Sequence, residues 1–177
     1  MKVELPLAEV YAVLEPGPVL LLSTAQDGRA NLMPMSWHCM LEFEPPQVGC
    51  VVSAANFSFA ALETTGECVL NVPTVELRDQ LVGCGNSHGD EVDKFARFGL
   101  TAVPSERVEP PRVEECYANL ECRVVDRQLV GQYNFFVLEV VKAWRDPAVS
   151  APRTVHHRGF GKFMVAGEEV VTDSAMR

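Results

Sequence analysis

Small polar residues that could hold an anion lie between residues 53 and 58. The segment Ser53-Ala54-Ala55-Asn56-Phe57-Ser58 joins a Val-rich strand pattern to the start of a helix pattern. Hydroxyl and amide side chains, together with the free N–H groups at a helix N-terminus, can bind a phosphate without much positive charge. Ser53, Asn56 and Ser58, with Phe57 beside them, are therefore a candidate phosphate site. The alternative is that Asn56 or Ser58 only caps the helix.

A second segment, at residues 31–37, could receive a flat heterocycle. A strand pattern there runs into Met-Pro-Met and a Trp, which offers backbone N–H groups beside a flat apolar surface. The alternative is ordinary packing in the core. The candidate contact residues are Met33, Pro34, Met35, Ser36 and Trp37.

The Gly-containing stretch from Cys84 to Phe95 leads into a helix pattern, but it lacks the spacing of a P-loop or a dinucleotide fingerprint. A solvated loop is the default interpretation. His156 and His157 are adjacent, so on a strand they would face opposite sides and not share a metal. The sequence contains no His-Glu-x-x-His motif, and residues 85–89, Gly-Asn-Ser-His-Gly, have the Gly-x-Ser-x-Gly spacing but lie in this loop pattern and not at a strand-to-helix elbow. These motifs therefore indicate neither a metal centre nor a catalytic dyad.

The six cysteines also argue against a metal site or a disulfide framework. No Cys-x-x-Cys pair occurs and no His stands at ligand spacing. Cys50, Cys68 and Cys122 lie inside strand patterns, where a reduced Cys packs as a small core residue. Cys84, between two glycines, is expected in a loop and could be exposed.

Composition limits the function classes. The chain has 177 residues, of which 47% are hydrophobic, and this predicts one globular domain over residues 1–177. The net charge of −9 gives no general basic surface for nucleic acid. The longest apolar run, Pro16 to Ala25, is shorter than the roughly 20 residues of a membrane helix, and Glu4 and Pro6 interrupt any signal-peptide core. We expect a soluble cytoplasmic protein without a nucleic-acid or membrane partner.

The elements that must position these residues are short strands separated by turn signals, with a few short helices. This pattern predicts a mainly β fold, an antiparallel barrel with helices on its outside. Three helices are predicted at Phe57–Thr65, Val75–Val82 and Glu91–Phe98, and the first of them ends at Gly66. Residues 128–132 are expected to form a hairpin turn. The predicted strands are Pro18–Ser23, Ala30–Trp37, Gln47–Ser53, Glu67–Val72, Tyr117–Leu129 and Tyr133–Trp144.

Four segments in this order resemble the flavin reductase-like family, and within it the flavoredoxin-like branch, over about residues 19–165. The most specific is residues 65–73, Thr-Gly-Glu-Cys-Val-Leu-Asn-Val-Pro. Asn31-x-Met33-x-x-Ser36-Trp37 is similar to the family's flavin-facing strand. The other two are the loop that ends in Asp93-Lys94-Phe95 and the late strand pattern at residues 131–141.

The resemblance implies an FMN-binding split barrel. It implies that the flavin ring lies against Met33 to Trp37, that residues 53–58 hold the phosphate and that Lys94 lies near the flavin. It also implies a homodimer with the flavin in a groove between the subunits, and the apolar strand Tyr133–Val141 offers material for that interface. In this chain no Arg stands at residues 56–58, where many relatives have one.

The expected function is an FMN-dependent oxidoreductase that exchanges electrons with a small-molecule donor or acceptor. Tyr133 stands where reductases often carry a His beside the nicotinamide, which makes it the candidate catalytic residue and leaves NAD(P)H open as the electron donor. Its ring could cover the flavin face, or it could point into the barrel core. Two alternatives stay open: a non-enzymatic FMN-binding electron carrier that needs a partner protein, and a barrel that binds another ligand.

Overall fold

Seven longer strands form one antiparallel sheet in the computed structural model, which describes residues 2–9, 17–158 and 161–174. Their order across the sheet is β3-β2-β6-β9-β10-β5-β4, and the short β1 pairs with β10. The strands are β1 (Val3–Glu4), β2 (Leu20–Gln26), β3 (Arg29–Met35), β4 (His38–Phe43), β5 (Pro46–Val51), β6 (Glu67–Val72), β7 (Ala102–Val103), β8 (Arg112–Val113), β9 (Ala118–Asp126), β10 (Phe135–Arg145), β11 (Val155–His157) and β12 (Phe163–Val165).

The sheet curls around an apolar core. Buried side chains from β2, β3, β5, β6, β9 and β10 converge in one cluster, and Met40 of β4 packs against it. Side chains at both ends of the strand order can meet only if the sheet wraps round on itself. Because β3 and β4 occupy the two ends of that order, the barrel is open between them. The predicted mainly β, antiparallel barrel is confirmed.

A second apolar cluster covers the outer face of β2 and β3. Leu21 and Leu32 point away from the barrel core and pack against Leu81 and Phe95 of two short helices and against Val155 of the β11–β12 hairpin. The α-helices are α1 (Phe57–Thr65), α2 (Arg78–Gly85), α3 (Lys94–Phe98) and α4 (Val130–Tyr133); Leu7–Glu9 and Val75–Leu77 are 3-10 turns. The short helices therefore flank the barrel, as expected.

Several element boundaries are confirmed and several are wrong. Helix α1 and strand β6 have the predicted ends, and Gly66 terminates α1 with φ of 70° and an N–H bond to the Leu62 carbonyl. Helix α3 begins only at Lys94, because the Asp93 carboxylate accepts the Ala96 N–H and caps it there. The sequence analysis missed β4, whose residues lack a clean alternation of apolar and polar side chains.

Two further expectations are wrong. The expected hairpin turn at residues 128–132 instead leads into α4, and Asn134 ends that helix in the left-handed conformation. Cys84 is not in a loop but in the last turn of α2, where it is fully buried in the second cluster. Cys50, Cys68 and Cys122 are buried in the barrel core, as expected.

Candidate functional site

A continuous groove runs along the outer edge of β3. The N-terminus of α1 and the loop after α2 form its sides, and three adjoining depressions make it up. The largest, at the hairpin end of β3, has a volume of about 620 Å³. Residues shared between neighbouring depressions make the groove continuous: Asn31, Met33, Pro34, Asn56, Phe57 and His88.

The hairpin of β2 and β3 determines which backbone groups face the groove. Its two-residue turn pairs Gln26 with Arg29. In this register the backbone N–H and C=O groups of Leu32 and the backbone C=O of Pro34 point away from β2. The Leu32 carbonyl accepts a hydrogen bond from the Lys94 ammonium across this edge, which agrees with that register. Proline lacks an N–H and is tolerated at such an outward position. The open side of the split barrel therefore places the backbone of β3 along the groove.

The N-terminus of α1 opens into the same groove. Asn56 is the N-cap residue by backbone conformation, but its side chain makes no capping hydrogen bond, and the first turn of α1 carries no acidic residue. The first N–H groups of a helix have no partner within the helix, and they favour negative charge nearby. Ser53 and Asn56 are exposed beside this terminus, and Asn56 lines all three depressions. This end of the groove can accept an anion.

A cation that the sequence analysis missed lies at the same end. The Arg29 guanidinium is 5.6 Å from the centre of the Phe57 ring, and both residues line the largest depression with His88. Its Nη2 donates to the carbonyl oxygens of Gly89, at 2.6 Å, and Asp90, at 2.7 Å. Arg29 ends the Asp27-Gly28 turn, so its position in the sequence is distant from the residue 53–58 segment that it approaches.

Ser58 lies deeper than the other candidate phosphate residues. Its side chain is fully buried, and its hydroxyl accepts a hydrogen bond from Asn31 Nδ2 at 2.8 Å and lies 3.3 Å from the Thr24 hydroxyl. Asn31 is 4% exposed, and its Oδ1 has no hydrogen-bond partner among the described residues. Buried polar atoms without a partner are rare in folded proteins. This Oδ1 faces Gly89, since a Cβ on that glycine would meet it, so the loop after α2 covers it at the base of the groove.

Lys94 is almost completely buried at the base of the groove. Its Nζ donates to the carbonyl oxygens of Leu32, at 2.7 Å, and Cys84, at 2.8 Å, so it ties α2 and α3 to the edge of β3. Burial lowers the pKa of this ammonium, and the neighbouring Cys84 thiol acts in the opposite direction. Burial also raises the pKa of the Cys84 thiol to about 11, so this thiol has no activated nucleophilic character at neutral pH.

The apolar end of the groove brings together two segments that the sequence analysis singled out separately. Residues 33–37 line a depression of about 260 Å³ with Val51, Ser53 and Asn56. Trp37 is 71% exposed there, whereas Met35 is buried and packs mainly in the barrel core. The flat apolar surface is therefore formed at its exposed end by Trp37, with Met33 and Pro34 as its continuation.

Tyr133 is not a core residue. It lies in α4, is 57% exposed, and its hydroxyl accepts a hydrogen bond from Gln132 Nε2. The possibility that its ring points into the barrel is therefore wrong. The Val52 N–H donates to the Asn134 carbonyl, which places α4 at the same end of the sheet as Ser53. Tyr133 does not line the groove within the chain.

The described part of the chain contains no group of metal ligands and no membrane-spanning helix. No three His, Cys, Asp or Glu side chains there are grouped so that they could hold a metal ion. None of the described helices combines the length and the hydropathy that crossing a membrane requires.

Similarity to known proteins agrees with this architecture. The chain is 30% identical to the uncharacterized protein YddH of Escherichia coli, over 89% of this chain and 91% of the relative. Its fold matches the crystal structure of an FMN-binding domain of a flavin reductases-like enzyme from Shewanella baltica, with a TM-score of 0.92 and 28% identity over 98% of both chains. It also matches flavoredoxin of Desulfovibrio vulgaris, with a TM-score of 0.81 and 22% identity over 90% and 91%.

These matches confirm the predicted split-barrel fold class. The sequence model described as "Flavin reductase like domain" matches residues 13–163. That match covers well over half of the chain, so this protein belongs to the flavin reductase-like family.

Proposed function

We propose that the groove binds FMN non-covalently and that the protein is an electron-transferring flavoprotein. The anion-accepting end of the groove, at Arg29 and the N-terminus of α1, fits the phosphate. The apolar end, at Met33, Pro34 and Trp37, fits the flat ring system. The membership in the family and the FMN-binding domain of the Shewanella structure support the same ligand.

The observation that carries the proposal is one continuous groove with an anion-accepting end and an apolar end. The uncapped N-terminus of α1 and the Arg29 guanidinium lie at the first end, and Met33, Pro34 and Trp37 line the second. A ligand that joins a phosphate to a flat ring through a flexible chain can occupy both ends at once. The residues present therefore fit FMN better than they fit a simple phosphate ester.

In this arrangement the chain binds and orients the cofactor. Bound FMN supplies hydride or single-electron chemistry, which needs no protein nucleophile. The α1 N-terminus, Ser53, Asn56 and Arg29 hold the phosphate, and Ser58 supports it by fixing Asn31 from within the protein. Lys94 would provide a buried positive charge at the base of the groove. A cation there favours the negative charge that a reduced flavin carries.

The enzyme and carrier alternatives differ at Tyr133. In an NAD(P)H-dependent reductase the nicotinamide must stack on the flavin within near-attack distance. Tyr133 is exposed at the end of the sheet that holds Ser53 and can move over that face or leave it open. We favour a flavin-dependent oxidoreductase with a small-molecule electron donor or acceptor, and the carrier remains the second candidate.

Titration of the flavin-free protein with FMN and with riboflavin tests the site. Arg29→Ala should weaken FMN binding at least tenfold, because a hydrogen bond to a charged group contributes roughly 1.5–3 kcal/mol. Riboflavin, which lacks the phosphate, should bind Arg29→Ala and the unmodified protein alike. Arg97→Ala, at an exposed arginine of α3, is the control and should leave both affinities unchanged. Equal affinity of the unmodified protein for FMN and riboflavin would contradict the phosphate assignment.

Ser58→Ala should have two effects, because its hydroxyl is buried between Asn31 and Thr24. FMN binding should weaken about tenfold, since Asn31 loses the bond that fixes it between α1 and the Gly89 loop at the base of the groove. The free energy of unfolding should also fall by roughly 1–3 kcal/mol, because the Asn31 amide loses a buried acceptor. Chemical denaturation of the flavin-free variant measures the second effect separately. Full stability together with unchanged FMN affinity would remove Ser58 from the site.

We also propose a homodimer in which the groove lies at the subunit interface. Trp37 and Leu41 are exposed near the open edge of the barrel, and Tyr133 is exposed at the same end of the sheet. Exposed apolar residues grouped in this way are typical of a contact surface. Leu41→Asp should produce a monomer in light scattering and weaken FMN binding, whereas Val125→Asp, at an exposed valine of β9, should not. A monomeric protein that binds FMN at micromolar concentration would refute this proposal.

A further inference from the structure

A second cavity, of about 300 Å³, adjoins the groove on the outer face of β3. It lies between α2 and the β11–β12 hairpin, and Pro34, Ser36 and Gly85 line both it and the groove. A Cβ on Gly85 would stand 3.0 Å from the Pro34 ring, so a larger residue there would crowd the boundary between the two spaces. The cavity is therefore directly next to the proposed position of the flavin ring.

The walls of this cavity are mainly apolar and partly aromatic. Leu81 and Val82 of α2 form one side, and Phe163 of β12 forms the opposite side. The rings of Phe163 and His157 lie 5.5 Å apart with a tilt of 51°, as a cross-strand pair of the hairpin. A flat molecule can lie against such a surface with its faces in apolar contact. The shape and lining favour a small planar ligand.

The polar side chains of the cavity are few. Ser36, Asn86 and His157 are the hydrogen-bonding side chains among the lining residues, and none of the described lining residues is Lys, Arg, Asp or Glu. A charged ligand finds no carboxylate, ammonium or guanidinium group among these lining side chains. The diphosphate of a nicotinamide dinucleotide has no Lys or Arg to bind here. A hydroxyl and an amide can donate hydrogen bonds to a carbonyl oxygen.

We propose that this cavity binds a small, uncharged, planar carbonyl compound of the quinone class, which accepts electrons from the reduced flavin. The inference rests on the proposed function, because it takes the groove as the flavin site. Ser36 and Asn86 hold the quinone carbonyl oxygens, and Phe163 and Val82 enclose the ring. The quinone gains two electrons and two protons and leaves as the hydroquinone; the anionic reduced flavin supplies the two electrons and one proton, and solvent supplies the second proton.

Binding to the flavin-free protein is the first test, since it does not depend on electron transfer. The probe is tetramethyl-1,4-benzoquinone, which has no free ring carbon for addition of the exposed Cys39 thiol. Saturation-transfer NMR should show binding of this quinone and not of 3,4,5-trimethylbenzoate, a planar anion of similar size. Absence of quinone binding, or equal binding of the anion, would overturn the inference.

A variant that fills the cavity locates the site. Val82 is partly exposed on α2, so Val82→Trp can occupy the space without disturbing the core. It should weaken quinone binding at least tenfold and change the dissociation constant of FMN less than twofold. Val125→Trp makes the same change at an exposed valine outside this cavity and should affect neither ligand. Equal quinone affinity in both variants would place the ligand elsewhere and overturn the assignment.

The two proposals fail in different ways. A protein that binds FMN but not the quinone keeps the proposed function and loses this inference. A protein that binds the quinone in a manner sensitive to Val82→Trp, but takes up no FMN, keeps the cavity as a ligand site and loses its role as an acceptor site. With FMN bound and reduced under anaerobic conditions, quinone should reoxidise the flavin at least tenfold more slowly in Val82→Trp than in Val125→Trp.

Discussion

Arg29 and Asn31 stand two residues apart on β3, so the alternation of the strand turns both toward the same side. One supplies the cation and the other an unpaired buried acceptor, and together they define the groove more sharply than the residue 53–58 segment does alone. The absence of an Arg near residues 56–58 suggested that neutral donors hold the phosphate. The structure brings the Arg29 guanidinium over the Phe57 ring from a hairpin about thirty residues earlier, so a cation lies beside this segment as well.

Tyr133 decides between reductase and carrier, and its exposed position makes the test direct. With FMN bound, we expect NAD(P)H to reduce the flavin slowly, because the exposed Tyr133 ring is large enough to cover the flavin face on which a nicotinamide must stack. Tyr133→His should speed this reduction at least severalfold in stopped-flow absorbance. Tyr133→Phe keeps the ring and removes the hydroxyl, so it should stay slow. Fast reduction in the unmodified protein that neither substitution changes would remove Tyr133 from the mechanism.

Among the elements, the loop after α2 is held over the groove by contacts that depend on one glycine. A Cβ on Gly89 would meet Asn31 and stand 2.6 Å from the Phe57 ring. Gly89→Ala should therefore push the loop away from β3, disturb the Arg29 bond to the Gly89 carbonyl and weaken FMN binding about tenfold or more. Gly131→Ala, in α4, has open space around the added Cβ and is the matched control. Equal FMN affinities of the two variants would show that the loop tolerates the methyl group.

The sequence predicted elements well where local signals agreed with the fold. Helix α1 has a capping position, a helical pattern and a terminal glycine, and its predicted ends were correct. Strand β4 was missed because it lies at an edge, where its exposed side chains have no reason to alternate. The start of α3 was placed too early because hydrophobic spacing extends beyond the residue, Asp93, that caps the helix.

The candidate site was predicted in part, for a physical reason. Ser53, Asn56 and Met33 were identified because the residue types around them in the sequence already indicate a binding segment. The structure brings them together in the groove. Ser58 and Lys94 lie in or below the groove, but they bond to other parts of the protein. Arg29 and the free Oδ1 of Asn31 depend on how the hairpin packs against α1, which no local pattern reveals.

For the molecule as a whole, buried thiols predict a loss of stability at alkaline pH. Burial raises the pKa of Cys50 and Cys116, and the pKa of Cys68 is raised by its contact with Cys122 and by burial. Unfolded thiols ionise near pH 8.5, so above this pH the native state binds more protons than the unfolded state. The free energy of unfolding must then decrease with pH, by about 1.4 kcal/mol per pH unit for each such thiol.

Cysteine variants separate the contribution of the buried thiols from that of the buried lysines. Burial lowers the pKa of Lys2 and Lys94, which acts in the opposite direction up to the pH at which a free lysine titrates. Because the unmodified protein and the cysteine variants all contain these lysines, comparing their slopes of unfolding free energy against pH removes the lysine contribution. Cys116→Ala should lose stability less steeply than the unmodified protein between pH 9 and 10, whereas Cys39→Ala, at the exposed thiol, should follow it in parallel. Urea titrations across this range measure both, and identical slopes would contradict the prediction.

The positions of the cysteines also allow local opening of the protein to be measured. Cys84 and Cys116 belong to the outer apolar layer, whereas Cys50, Cys68 and Cys122 belong to the interior of the barrel, and Cys39 is open to solvent. A thiol reagent can modify a buried sulfur only during a transient opening, so the modification rate of each cysteine measures how often its layer opens. If the outer layer detaches on its own, Cys84 and Cys116 will be modified together, well before the other three. Without introducing any label, the order of modification thus shows whether the two layers unfold as one unit or as two.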